Sequence, residues 1–295
     1  MLPDVKAKPS ISIAIVGAGN LGTALALALR GAAYRISVIV SRADSRSRQR
    51  TRTLAKQVGA RVMSRLSGTE ADVVWLCVPD SQIAAVAARL AKSATAKSWK
   101  DRVALHSSGA LTSDELASLR PLGTAVASVH PLMTFVKGSR PVLAGVPFAI
   151  EGDAAAVQVA RRIVRDLGGC AHAIRKRDKA AYHAWGTFVS PLFTALLATA
   201  ERVAGQAGVK GSHPAKRAIP ILIQTLANYA QFGPAAGFSG PIVRGDVETV
   251  KRHLRVLRTV PAARNAYIAL AEAALEYLPA RDKAALNRVL KHAGR

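Results

Sequence analysis

The chain has 295 residues, half of them hydrophobic, with 42 Lys and Arg against 18 Asp and Glu for a formal net charge of +24. That length suits one large or two ordinary domains with a core that needs no disulfides or metal. Two cysteines, Cys77 and Cys170, are too few for a disulfide framework or a four-thiolate zinc site. Their apolar surroundings predict buried free thiols in a reducing, cytoplasmic compartment. No apolar run reaches the length that spans a bilayer, since Gly186–Ala200 is too short and holds Pro191. That run reads as a buried or interface helix. The first ten residues have no signal-peptide apolar core.

Ile11–Val16 is a β-branched run fit for a buried parallel strand. Gly17–Gly22 follows at once, and Thr23–Arg30 reads as an Ala- and Leu-rich helix before a second strand, Ile36–Val40. This is a βαβ unit. Alternation continues with a helix over Arg52–Gly59, a strand over Val73–Val78, and a helix over Gln82–Lys92 with Ser81 as its N-cap. Strands over Val103–His106, Ala125–Val129, Pro147–Glu151 and Ala171–Ile174 are interleaved with helices over Ser113–Leu119 and Ala154–Leu167. An α/β fold follows, with a mostly parallel sheet and helices on both faces. Beyond about residue 175 only helices are predicted: Asp178–Gln206, Pro214–Tyr229, Glu248–Arg258, Val260–Tyr277 and Arg281–Lys291. The boundaries drawn are 1–175 for a Rossmann-like dinucleotide-binding domain and 176–295 for a helical substrate and dimerisation domain.

The turn Gly17-Ala18-Gly19-Asn20-Leu21-Gly22 has the spacing of a dinucleotide fingerprint in the right context, after a strand and opening a helix. Its glycines allow a tight turn, a close pyrophosphate and close helix packing. Where NAD sites place an acid after the second strand, this chain has Ser41-Arg42. A hydroxyl and a guanidinium suit a 2′-phosphate, so NADP(H) is favoured over NAD(H). Val78, Pro79, Asp80 and Ser107 lie at strand ends where such a cofactor is expected.

The segments Gly17–Gly22, Cys77–Ile83, Leu105–Leu111, Ser128–Phe135, Phe148–Asp153, Lys179–Ser190 and Gly240–Leu254 resemble a family of two-domain bacterial proteins. These pair an N-terminal Rossmann-like domain with a C-terminal helical domain of unknown function. The architecture also resembles the wider superfamily of 6-phosphogluconate, 3-hydroxyacid, prephenate and pyrroline-5-carboxylate oxidoreductases. The resemblance implies an NAD(P)-dependent oxidoreductase fold, often dimeric through the helical domain, and names no substrate.

The candidate chemistry is hydride transfer between nicotinamide and a small carbonyl or imine bound between the two domains. His130-Pro131 resembles the His-Pro motif of prephenate dehydrogenases, and a His near its reference pKa of about 6.5 suits proton exchange. Lys179 and His183 stand i and i+4 on one helix face. In 3-hydroxyacid dehydrogenases a Lys with an Asn four residues on occupies this helix. Here His183 replaces that Asn, and Pro191 stands where relatives carry Asn, so the proton-transfer role stays open among His130, Lys179 and His183. Ser108, Tyr182, Arg244 and Asp246 are candidate substrate contacts, with Arg244 a clamp for an acidic group. Asp246 also reads as an N-cap. The histidines show no metal-ligand spacing, so no metal is expected.

Two alternatives stand beside this reading. One is a non-catalytic NADP(H)-binding sensor or regulatory module. The other is a nucleic-acid-associated protein using the basic stretch Arg42–Lys56, although no aromatic interleaving or helix-turn-helix pattern accompanies it.

Overall fold

The computed structural model describes residues 11–40, 45–64, 71–93, 99–209 and 214–294. The described chain divides into two compact units, Met1–Thr187 and Phe188–Arg295. The helix carrying Lys179 and His183 therefore belongs with the sheet.

The first unit is built on eight strands. They are β1 (Ser12–Val16), β2 (Arg35–Val40), β3 (Arg61–Met63), β4 (Val73–Leu76), β5 (Val103–His106), β6 (Ala125–Pro131), β7 (Pro147–Gly152) and β8 (Cys170–Ala173). Their order in the sheet is β3-β2-β1-β4-β5-β6-β7-β8. Neighbours run parallel throughout except at β6–β7, which is antiparallel. Strand β3 was not foreseen. It is a three-residue edge strand with two of its residues exposed, too short for any alternation to show.

The sheet is covered on both faces, and the two-residue repeat of β1 shows how. Ile13 and Ile15 join a core with Leu25 and Leu29 of α1 (Asn20–Gly31) and with Ile163 and Val164 of α4 (Ala154–Asp166). Ala14 and Val16 point the other way. They pack with Ile83, Val86 and Leu90 of α3 (Ile83–Ser93) and with Leu116 and Leu119 of a 3₁₀ segment, Ser113–Leu122. The remaining helices of this unit are α2 (Ser45–Val58) and α5 (Lys179–Thr187). Ser81 is not an N-cap. It lies within a 3₁₀ turn, Asp80–Gln82, that leads into α3.

The long helix expected over Asp178–Gln206 is interrupted. After α5 the chain makes a wider π turn over Phe188–Leu192 before α6 (Phe193–Gln206). Pro191 is the physical cause, because it has no N–H for the helical ladder and crowds the preceding turn. Helix α7 (Pro214–Gly237) runs past its expected end and bends at Gly233, which has φ 76°. The rest are α8 (Pro241–Arg244), α9 (Val247–Val256), α10 (Pro261–Tyr277) and α11 (Lys283–Ala293). Val250 and Leu254 of α9, Ile268 and Leu275 of α10, and Leu286 and Leu290 of α11 form the second unit's own core at helical spacing.

Among the described residues no helix is long and apolar enough to cross a membrane. Both cysteines are free. Burial pushes the Cys77 thiol up to about 12. Cys170, by contrast, is exposed rather than buried, because it opens the edge strand β8, where apolar neighbours in sequence do not guarantee cover.

Phe148 of β7 is fully buried, and a side chain on Gly169 would strike its ring. Phe148→Ala is predicted to cost about 3–5 kcal/mol of stability, read as a lowered urea midpoint.

Candidate functional site

The site lies in the sheet unit, along the C-terminal ends of parallel strands β1, β4, β5 and β6, where ligands of such sheets bind. At the end of β1 the backbone N–H of Gly17 donates to the Val40 carbonyl at 2.9 Å. Gly17 has φ 108°, and a Cβ there would lie 2.5 Å from the Cys77 carbonyl oxygen. A Cβ on Gly22 would lie 2.0 Å from the Gly17 carbonyl oxygen, so α1 packs directly on the turn. A Cβ on Gly19 would meet nothing within 4 Å, which leaves that position open to approach. Gly19 caps α1 with no side chain, and the first turn of α1 carries no acid. The first N–H groups of α1 thus keep their capacity for an anion. The turn fits a dinucleotide pyrophosphate.

Val78 flanks Gly17, and Leu21 packs partly buried against the core. The Asn20 amide nitrogen donates to the Phe135 carbonyl at 3.2 Å, and its oxygen accepts from Arg50 at 3.5 Å. Arg50, on α2, therefore sets a guanidinium beside the start of α1. It was not singled out as a cofactor ligand, although it lies in the arginine-rich stretch that follows β2. Ser41 and Arg42 lie outside the described residues.

The ends of β4, β5 and β6 are knitted together through Ser108. Its N–H donates to His106 Nδ1 at 3.1 Å and its hydroxyl donates to Asp80 Oδ2 at 2.7 Å, while the same oxygen accepts from Leu111 N–H at 2.9 Å. Its carbonyl accepts from Lys179 Nζ at 3.2 Å and from the Ser128 hydroxyl at 3.1 Å. Lys179 Nζ also donates to Ser128 Oγ at 2.7 Å. Ser107 Oγ accepts from Trp75 Nε1 at 2.8 Å. The Ser108 hydroxyl thus both donates and accepts within the protein, whereas Ser107 Oγ is used as an acceptor. Pro79 precedes the turn that presents Asp80.

His106 is fully buried, and its Nε2 bonds the Thr112 carbonyl at 2.9 Å. A carbonyl only accepts, so Nε2 carries the proton and Nδ1 is the lone pair that receives Ser108 N–H. Burial, followed by the Lys179 charge, lowers its pKa to about 4. Lys179 itself is 1% exposed, and burial pulls its pKa down while Glu151 and Asp80 push it back up. Glu151 accepts from Ser113 N–H at 2.7 Å and from its hydroxyl at 2.8 Å.

His130 pairs with Ala149 across β6–β7. Its ring meets Tyr182 edge-on at 5.7 Å and His183 at 5.9 Å. A Cβ on Gly109 would touch both imidazoles, at 2.6 Å from His183 and 2.8 Å from His130 Nε2, so only glycine lets the two rings converge there. His130 Nδ1 and the Tyr182 hydroxyl are buried with no hydrogen-bond partner among the described residues. Tyr182 also borders His172 and Trp185, and burial raises its pKa. The expectation that His130 titrates near 6.5 fails. Burial first, then the charges of Lys179 and His183, bring it to about 4. The rings of His130 and His183 meet, and Lys179 is near enough to act on the His130 charge.

Arg244 and Asp246 belong to the helical unit. There Asp246 Oδ1 accepts from Thr249 N–H at 3.0 Å and caps α9. Among the described residues no group of three or more His, Cys, Asp or Glu is arranged to hold a metal ion.

Strand order, glycine turn and strand-end cluster together define a Rossmann-like dinucleotide-binding fold. More particularly, residues 3–131 match the model of a Rossmann-like domain and residues 146–274 match that of the domain of unknown function DUF2520. The chain is thus a Rossmann-like N-terminal domain joined to a C-terminal helical DUF2520 domain. No curated protein matches it. Among solved structures, a candidate NADP oxidoreductase from Bacteroides fragilis is 22% identical with TM-score 0.75, over 90% of this chain and 97% of that one. Protein TM1727 from Thermotoga maritima is 22% identical with TM-score 0.67, over 96% and 100%. An imine reductase from Myxococcus stipitatus in complex with NADP+ is 15% identical with TM-score 0.62, over 96% and 100%. At these identities the likeness is one of fold alone.

The His106 pKa, about 4 in the fold against 6.5 as its ordinary value, gives a stability prediction. Between these values the unfolded chain binds the proton and the folded chain does not, so stability rises with pH. His106 should contribute fully above pH ~6.5 and lose up to about 3 kcal/mol as pH falls toward ~4. Urea midpoints measured from pH 7 to pH 4 test this. His106→Gln should flatten that part of the profile, and a slope unaltered in the variant would contradict the assignment.

Proposed function

We propose that the chain is an NADP(H)-dependent oxidoreductase acting on a small carbonyl or imine. The observation that carries this reading is the convergence of His130 and His183 over Gly109 on the same sheet edge as the Gly17–Gly22 turn. The nicotinamide, when bound, gives or takes the hydride. The turn and the start of α1 bind the pyrophosphate, with Arg50 adding positive charge. Arg42 takes a 2′-phosphate and sets the preference for NADP(H). His130 is uncharged at neutral pH and hydrogen-bonds the reacting oxygen or nitrogen without repelling positive charge there. Exposed His183 exchanges the proton with solvent. The two free thiols suit a cytoplasmic setting.

Fluorescence titration with NADPH and NADH tests the cofactor. NADPH should bind at least about tenfold more tightly, and Arg42→Ala should erase that preference. Arg50→Ala should weaken both nucleotides alike, because the pyrophosphate is common to them. Failure of both nucleotides to bind would end the reading. Tight binding with no turnover on any carbonyl or imine would leave a binding module in place of an enzyme.

The same reading includes a homodimer. Helix α7 exposes Ile219, Ile221, Ile223, Leu226, Tyr229 and Phe232, which spread over a broad face of the helix, opposite Gln224, Asn228 and Gln231. Apolar surface of that extent requires cover. The cover proposed is a second copy of the chain. Light scattering after size exclusion should give twice the chain mass for the wild type. The doubly charged variant Ile223→Glu, Leu226→Glu should give the single-chain mass.

A further inference from the structure

We propose that Lys179 is a positioning residue rather than a proton carrier: it clamps the Ser107–Gly109 loop onto β6 and supplies a fixed positive charge beside His130. The inference rests on the oxidoreductase reading and sharpens it, because three residues were candidates for the proton.

Three observations carry it. Lys179 is 1% exposed, and the described partners of its ammonium are inside the protein: Ser128 Oγ at 2.7 Å and the Ser108 carbonyl at 3.2 Å. A group so enclosed has no route to a substrate atom. Next, those partners belong to different strand ends. Ser128 lies in β6 and Ser108 follows β5, so one ammonium ties the two ends together across the sheet. Every polar atom of Ser108 is used in this lattice. The lattice fixes the residue immediately before Gly109, and Gly109 is the point on which both imidazoles converge. A loosened clamp would move Gly109 and the two rings apart.

Finally, the charges around His130 are accounted for. Lys179 and His183 disfavour its protonation, and Asp80 favours it. Tyr182 faces it edge-on with an uncharged hydroxyl. Of Lys179 and His183, Lys179 is the one locked in place by bonds, whereas His183 is exposed. Asp80 is in turn held by the Ser108 hydroxyl at 2.7 Å, so the same loop fixes the opposing charge.

The test uses the whole chain with no ligand, so it does not depend on a substrate or on the cofactor. His130 is titrated by NMR of its Cε1–H resonance in wild type and in Lys179→Gln, which keeps a hydrogen-bond donor and loses the charge. The His130 midpoint, about 4 in the wild type, should rise by roughly one pH unit in the variant. Where turnover is measurable, the acid limb of the Lys179→Gln pH profile should rise by the same amount while a part of kcat survives. An unmoved His130 midpoint would remove the charge role, and kcat reduced beyond about 1000-fold at every pH would make Lys179 a proton carrier; either overturns the proposal. Ser128→Ala keeps the charge and removes one anchor, and it serves if Lys179→Gln does not fold. It should leave the His130 midpoint within about 0.3 pH units while Leu111 N–H exchanges with solvent at least about tenfold faster. Unchanged exchange at Leu111 would refute the clamp.

Discussion

The strand-end site depends on one buried ammonium. A charge taken out of water costs several kcal/mol unless polar groups and opposite charges surround it. Around Lys179 those groups come from separate parts of the chain: Ser128 from β6, the Ser108 carbonyl from the loop after β5, Asp80 from the turn after β4 and Glu151 from β7. Satisfying the ammonium therefore brings four elements into register at one end of the sheet. The same lattice leaves His106 with a defined tautomer and places Gly109 under His130 and His183.

A second constraint acts at the neighbouring strand. Gly17 and Gly22 sit so close to the Cys77 and Gly17 carbonyls that no side chain fits. The turn is consequently tight, and α1 starts directly over it. The turn leaves the first N–H groups of α1 without a side-chain cap and sets Arg50 beside them, and burial keeps His106 and His130 uncharged at neutral pH. A buried nitrogen of His130 and the hydroxyl of Tyr182 have no hydrogen-bond partner among the described residues. Such groups cost about 1–3 kcal/mol each when left unsatisfied. That cost is tolerable at a place where a ligand or solvent supplies the missing partner.

The helical unit follows another logic. Its core of Val250, Leu254, Ile268, Leu275, Leu286 and Leu290 is closed by α9, α10 and α11. Helix α7 lies outside that core with its apolar side chains uncovered. The contrast separates apolar residues buried within the unit from apolar residues left exposed on α7.

Much of this was legible in the sequence because it is local. The β-branched run before Gly17, the glycine spacing and the alternation of strands with helices fix a βαβ unit from residues close in the chain. The i, i+4 spacing likewise puts Lys179 and His183 on one helix. What lay beyond reach was set by contacts between residues far apart. Ser108 and Lys179 are 71 residues apart and Asp80 and Ser108 are 28 apart, so nothing in either segment announces that the Ser108 hydroxyl is engaged or that Lys179 is sealed. The His130 pKa is the clearest case, since an imidazole's ordinary value belongs to the residue, and the fall to about 4 belongs to the burial and charges that folding assembles around it. Sequence alone determined the fold class and the neighbourhood of the site, through steric preferences and periodic burial that act within a few residues. The tertiary structure decided which polar atoms remain free and which protonation states hold there, because desolvation and electrostatics depend on distance in space rather than along the chain.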